Sequence, residues 1–181
     1  MSKKNKKILN CKIINIKKFK DDRGIFFEKY NKNLFYSLGI KFNFVQDNIS
    51  ISKKNVIRGL HFQKKYKQGK LVSVSKGKIF DVVVDLRRSK STFGKVSTFI
   101  LSDKDQNLLW VPPGFAHGFC AMSKSAIVEY KCTDFYSPKN QFTLLWNDKF
   151  LNIKWPTKKP IISNKDKFGI TFKDLMKNSI I

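Results

Sequence analysis

Acidic residues, cysteines and histidines are all scarce in this chain, and none of its apolar runs is long. Asp and Glu number 13 against 37 Lys and Arg, for a formal charge of +24. Three cysteines, Cys11, Cys120 and Cys132, form no CxxC pair. That argues against a disulfide framework or a thiolate zinc centre and for reduced structural thiols. No apolar stretch approaches the roughly 18 residues that a membrane span requires. The basic start, Met1-Ser2-Lys3-Lys4-Asn5-Lys6-Lys7, is not followed by the apolar core of a signal peptide. The expectation is a cytoplasmic protein with no membrane partner. At 181 residues and 41 % apolar it reads as one domain over 1–181, with 1–7 as a flexible basic N-terminus.

The charge does not by itself mean nucleic acid. Lysines are spread from end to end among many Asn, Ile and Phe, and no zinc-finger or helix-turn-helix pattern is present to read bases. No nucleic-acid partner is expected. Arginine is the more informative cation, since the chain has only Arg23, Arg58, Arg87 and Arg88. A planar bidentate fork is what a diphosphate or carboxylate asks for and a lysine cannot supply. Arg23 in Asp21-Asp22-Arg23-Gly24 and Arg58, three residues before His61, fit that role. Arg87 and Arg88, at a strand end, read as surface residues.

His61 and His117 are the two imidazoles, and each lies in a short Gly-flanked motif. Histidine is the side chain able to act as a base near neutrality. Spacing alone does not separate a reacting base from an ordinary core or turn histidine.

The rest reads as short strands broken by turns. Strand-like segments are 13–16, 25–29, 96–101, 108–111, 118–122, 126–132 and 142–146, with a helical turn at 33–38 and a terminal helix from Thr171. Residues 71–75 and 79–86 read as a hairpin around Gly77. Within 44–52, Val45, Ile49 and Ile51 share one face, while Gln46, Asn48, Ser50 and Ser52 share the other. Such a polar row faces water in most proteins and lines a pocket in some. Asp81 and Asp85 lie on one strand face with Ile79 and Val83, which suggests a half-polar cavity. The pattern predicts an all-β sandwich or barrel, with a two-sheet jelly roll preferred. The phenylalanines read mostly as core filling and not as stacking sites.

Several motifs in order carry a resemblance: Asp21-x-Arg23-Gly24-x-Phe26-x-Glu28; Gln46-x-Asn48-x-Ser50; Arg58-Gly59-Leu60-His61-x-Gln63; Gln68-Gly69-Lys70-Leu71-Val72; Asp81-x-x-x-Asp85-Leu86-Arg87; Pro113-Gly114-Phe115-Ala116-His117-Gly118-Phe119; Trp146-Asn147-Asp148; and Ser163-x-Lys165-Asp166. From about Ile13 to Asp166 the chain resembles the dTDP-4-dehydrorhamnose 3,5-epimerase family of cupins. The resemblance implies a double-stranded β-helix (jelly roll) with short peripheral helices, a homodimer, no cofactor and a dTDP-linked 4-keto-6-deoxy sugar as substrate. Two histidines, with Gln63 where an HxH pair would continue, also fall short of a cupin metal site.

By the same resemblance His61 is the base, Asp166 fixes its tautomer, Tyr130 is the acid on the opposite face and Lys70 offsets enolate charge. Arg23, Phe26 and Glu28 reach the partner's pocket, and Arg58, Gln46 and Asn48 contact the diphosphate and its surroundings. His117, Asp81 and Tyr136 complete the substrate pocket. Each residue also has a plain structural reading: Asp166 as the start of a terminal turn, Tyr130 as core, Lys70 as one lysine among many. Arg58 and His61 are three apart, so a bulge at Gly59 is predicted, because a regular strand would point them to opposite faces. Gln141 departs from the family, which usually carries a glutamate there. A single-carbon epimerase and a catalytically silent nucleotide-sugar-binding cupin remain as alternatives.

Overall fold

The computed structural model describes residues 10–178 and 180–181, and the basic stretch 1–7 lies outside them. Strands dominate. They are β1 (Lys12–Ile14), β2 (Lys18–Asp21), β3 (Gly24–Phe27), β4 (Gln46–Lys53), β5 (Val56–Gln63), β6 (Lys70–Lys76), β7 (Lys78–Asp85), β8 (Val96–Ser102), β9 (Leu108–Val111), β10 (Phe115–Ala121), β11 (Ser125–Cys132), β12 (Gln141–Thr143) and β13 (Ile161–Ile162). The helices are short: α1 (Lys32–Ser37), α2 (Asn164–Lys167) and α3 (Phe172–Lys177).

Two antiparallel sheets face each other. The first has the order β1-β9-β6-β11-β4 and the second β12-β5-β10-β7-β8, with β13 added parallel to the start of β5. β2 and β3 form a separate hairpin. Val72, Val74, Leu109, Val111 and Val128 from the first sheet pack on Ile79, Val83, Phe115 and Phe119 from the second, filling the space between. The outer side of the second sheet is covered too, where Val82, Val84, Leu60 and Ala116 meet Phe172 and Leu175 of the C-terminal segment. This explains the unbroken run Val82-Val83-Val84, since a strand buried on both faces does not alternate in polarity. α1 and the stretch around Ile40 cover part of the first sheet's outer face. The two-sheet jelly roll is the architecture expected.

Two expectations need correction. Residues 71–75 and 79–86 do lie in strands, β6 and β7, but these belong to different sheets and form no hairpin. Gly77 makes the corner at φ +82°, where a Cβ would collide with Ser123 Oγ and the Ser125 carbonyl oxygen. A tight glycine turn serves a hairpin or a sheet-to-sheet corner equally well, so local sequence does not separate them. Arg87 is not a free surface residue: its guanidinium hydrogen-bonds the fully buried Asp85, which also accepts from Thr92 Oγ1. Arg88 is exposed and donates to the Met176 carbonyl oxygen. The phenylalanines mostly fill the core, as expected: Phe62, Phe115, Phe119 and Phe172 are buried and Phe80, Phe93, Phe99 and Phe142 pack against the clusters, while Phe26, Phe135, Phe150 and Phe168 are largely exposed.

β4 alternates as its sequence indicates. Its apolar face, Ile49 and Ile51, is the exposed one at 70 % and 67 %, while Gln46 and Asn48 turn into the interior.

Candidate active site

β5 sets the geometry. Across the β5–β10 ladder His117 stands opposite His61 and Phe119 opposite Arg58, so three steps along β5 match two along β10. The extra residue is accommodated at Gly59, with φ +106°, where a Cβ would sit 2.6 Å from the His117 carbonyl oxygen. The bulge predicted there is present, and it brings both Arg58 and His61 to the side on which Phe119 packs between the sheets.

His61 Nε2 lies 2.6 Å from Asp166 Oδ1, and the other carboxylate oxygen accepts the Gly59 N–H at 3.2 Å. Asp166 is buried in α2, whose N-cap Ser163 accepts its backbone N–H. Burial pushes this carboxyl up, but the hydrogen bonds from His61 and Gly59 outweigh it and hold it below the usual carboxylate range. An ionised carboxylate only accepts, so Nε2 carries the ring proton of the neutral imidazole. That leaves the Nδ1 lone pair as the basic position.

His61 opens on a cavity of about 380 Å³ lined also by Lys70, Tyr130, Gln46, Asn48 and Tyr136. The volume falls in the range of small-molecule sites, about 300–1,000 Å³. Tyr130, on β11, belongs to the first sheet and His61 to the second, so the two approach the cavity from opposite walls. Burial pushes the Tyr130 hydroxyl up and keeps it protonated. Lys70 Nζ sits 5.7 Å from the Tyr130 ring centre. Burial pulls its pKa down, while Cys132 and Asp81 nearby oppose that.

Hydrogen bonds fasten the cavity's edge. Gln63 Nε2 donates to the Tyr66 and Phe135 carbonyl oxygens, and its Oε1 accepts the Ser137 N–H at 2.7 Å. Gln46 Oε1 accepts the Tyr136 N–H at 2.8 Å, while Gln46 Nε2 donates to Asn48 Oδ1.

The structure does not bring every candidate into the cavity. His117 and Asp81 are buried behind it, joined at 2.8 Å through His117 Nε2, and neither lines it. Asp81 Oδ1 has no hydrogen-bond partner, and burial pushes this carboxyl up. Arg58 donates to Ser52 Oγ and to the Ile51 carbonyl oxygen, and it too stands outside the lining. Arg23, Phe26 and Glu28 lie on or just after the β2–β3 hairpin, exposed and away from this chain's own cavity, with Arg23 bound to Asp21. Residues that sequence reasoning did not place at the site, Gln63, Lys67, Gln68 and Lys165, are part of its wall. Gln63, Gln68 and Lys165 sit inside the quoted motifs, and that was the signal available for them.

A two-sheet jelly roll whose open end holds a carboxylate-anchored imidazole facing a phenol and a lysine defines a cupin-type proton-transfer enzyme. The family model of dTDP-4-dehydrorhamnose 3,5-epimerase matches residues 5–174. Among curated relatives, the dTDP-4-dehydrorhamnose 3,5-epimerase of Shigella flexneri is 48 % identical over 160 residues, covering 87 % of this chain and 88 % of that one. The crystal structure of the Bacillus anthracis enzyme with TDP and PPi bound is similar at 46 % identity and TM-score 0.88, covering 90 % and 94 % of the two chains. That of Legionella pneumophila in complex with dTDP-4-keto-L-rhamnose is similar at 39 % identity and TM-score 0.88, covering 94 % and 97 %. The chain belongs to the dTDP-4-dehydrorhamnose 3,5-epimerase family, a family of isomerases.

Proposed function

We propose that the protein inverts C3 and C5 of dTDP-4-dehydro-6-deoxy-D-glucose to give dTDP-4-dehydro-L-rhamnose, a step towards dTDP-L-rhamnose. The C4 ketone acidifies the hydrogens on both flanking carbons. His61 Nδ1 takes the proton from one face, the bond pair moves into the C4–O enolate, and Lys70 offsets the charge on that oxygen. Tyr130 then returns a proton to the opposite face, and inversion results. Substrate and product stand at the same oxidation level, so the step calls for no electron acceptor and the proposal includes no cofactor. The observation that carries it is one cavity in which His61, bound through Nε2 to a buried carboxylate, is opposed by Tyr130 from the other sheet.

The test is turnover of the dTDP-keto-sugar in deuterium oxide, followed by NMR. The expected result is solvent label at both C3 and C5. Label at one carbon means a single-carbon epimerase, and binding without label or turnover means a silent nucleotide-sugar cupin.

We further infer a cytoplasmic homodimer, acting with neither nucleic acid nor membrane. Exposed Ile49 and Ile51 on edge strand β4, and exposed Phe19, Ile25 and Phe26 on the hairpin, support a second copy. Such an arrangement lets Arg23, Phe26 and Glu28 complete the partner's pocket. Among the described residues no helix is long and apolar enough to cross a membrane.

A further inference from the structure

Residues 133–137, which follow β11 and bring Tyr136 to the cavity, belong to no helix or strand. A backbone without a ladder must find its hydrogen bonds elsewhere. Here glutamine side chains supply them. Gln68 Nε2 donates to the Asp134 carbonyl oxygen at 2.9 Å, and Gln46 Oε1 accepts the Tyr136 N–H at 2.8 Å. Gln63 takes both the Phe135 carbonyl oxygen, at 3.1 Å, and the Ser137 N–H, at 2.7 Å. At the start of the segment the Gly69 N–H donates to Thr133 Oγ1, and the Thr133 N–H donates back to the Gly69 carbonyl oxygen. A Cβ on Gly69 would lie 2.6 Å from the Trp110 ring and 3.2 Å from Thr133 Cγ2, so the two segments meet where a larger residue does not fit.

Gln63 differs from the other two glutamines. It is buried, and its amide makes a third backbone bond, from Nε2 to the Tyr66 carbonyl oxygen at 2.6 Å. One side chain thus joins the loop after β5 to the segment after β11. Both of its N–H donors are spent on backbone, and it has no proton to give to chemistry. The β5–β12 register is regular from His61 to Gln63, and residues two apart on a strand share a face. The imidazole and the amide that anchors the entrance are therefore set by the same short length of β5.

We propose that Gln63 is a positioning residue, which holds residues 133–137 in their binding shape before the nucleotide-sugar arrives. This rests on the nucleotide-sugar reading above. A segment already ordered spares the ligand the entropy cost of ordering it. Gln63 acts on affinity, while His61 and Tyr130 act on the carbon–hydrogen bonds.

Steady-state turnover of the dTDP-keto-sugar and hydrogen exchange of the ligand-free full chain test this. Gln63→Met removes all three bonds. It should raise KM by about tenfold, the scale of one or two lost hydrogen bonds, and leave kcat within about twofold. The Tyr136 and Ser137 amides should exchange about tenfold faster or more, while those of β7 and β10 keep their rates. Gln63→Glu adds a signature that lost stability does not give. When protonated, its carboxyl accepts from Ser137 and donates to one of the two carbonyl oxygens; when ionised, it donates to neither. Relative to the unmodified protein, exchange at Tyr136 and Ser137 should quicken as that carboxyl ionises. Binding of thymidine, which has no charge to be repelled, should weaken in step. A kcat that falls as far as KM rises, or β7 and β10 exchanging faster along with the segment, would mean a general structural role and overturn the proposal. So would an unchanged KM in Gln63→Met, or a Gln63→Glu protein whose relative exchange and thymidine affinity do not vary with pH. Should Gln63→Met fail to fold, the Gln63→Glu result decides alone. An unmodified protein that neither binds dTDP nor turns over the sugar instead removes the nucleotide-sugar reading itself, and this inference with it.

Discussion

His61 and His117 stand directly opposite each other across the β5–β10 ladder, and each is bound through Nε2 to a different carboxylate. Their surroundings give them different work. His61 is partly exposed to the cavity, whereas His117 is buried with the fully enclosed Asp81.

His61→Asn should therefore lower turnover by about 10²–10⁴-fold, the contribution of one positioned base, and leave dTDP binding and folding largely intact. His117→Asn should act first on stability. It strands a buried carboxyl and costs about 3 kcal/mol by the usual scale for breaking an enclosed pair. Paired urea unfolding and kinetic measurements separate the two. A His117 variant of normal stability and no activity would reverse the assignment.

Lys70 should set the alkaline limb of the rate. Burial lowers its pKa in the folded chain while raising that of Tyr130, so Lys70 loses its charge at a lower pH than a free lysine would and Tyr130 keeps its proton to a higher pH than a free tyrosine. kcat is expected to fall below the pH at which a free lysine titrates, about 10.4. Lys70→Arg, where it supports turnover, should move that limb upward. For stability the sign is opposite. The folded state binds this proton less tightly than the unfolded state, so charged Lys70 is a cost that is relieved as pH rises from the folded towards the unfolded pKa. Lys70→Met should accordingly raise unfolding free energy near neutrality by about 1 kcal/mol or more while abolishing catalysis. A destabilised Lys70→Met protein would argue against this account.

Gly59→Ala tests the bulge. The methyl group would meet the His117 carbonyl oxygen at 2.6 Å and the Gly118 Cα at 2.8 Å, at a φ of +106° that L-residues rarely adopt. A loss of about 3 kcal/mol or more is expected from the combined clash and strain. Whatever folds should show reduced turnover, because Gly59 also donates its N–H to Asp166. Denaturant unfolding alongside the deuterium assay reads both effects.

Much of the fold and site is legible in the chain. Strand positions such as 108–111 and 126–132 follow from alternation and turn residues. The odd spacing of Arg58 and His61, once resemblance assigns both to one site, points either to a bulge at Gly59 or to an arginine reaching around an edge, of which the bulge is the one present. Other features are closed to sequence reasoning for physical reasons. Gly77 announces a sharp turn but not whether the next strand pairs with the last one or crosses to another sheet. The two faces of β4 are visible, but which one meets water depends on what stands opposite, and that is a tertiary fact. Arg87 looks like a surface cation because its partner, Asp85, is buried by residues far along the chain. Lys165 is hidden among many lysines, and only its neighbour's hydrogen bond to His61 brings it to the mouth.

The link between His61 and Asp166 spans 105 positions. Every other group assigned to proton transfer, Lys70 and Tyr130 included, precedes Asp166 by dozens of residues. A nascent chain that has emerged only as far as β12 thus lacks both the carboxylate that orients the imidazole and the part of the cavity wall that Lys165 and Ile181 supply. Catalytic competence arrives late in synthesis, when α2 docks on β5, and translation order itself keeps an unfinished chain from reacting.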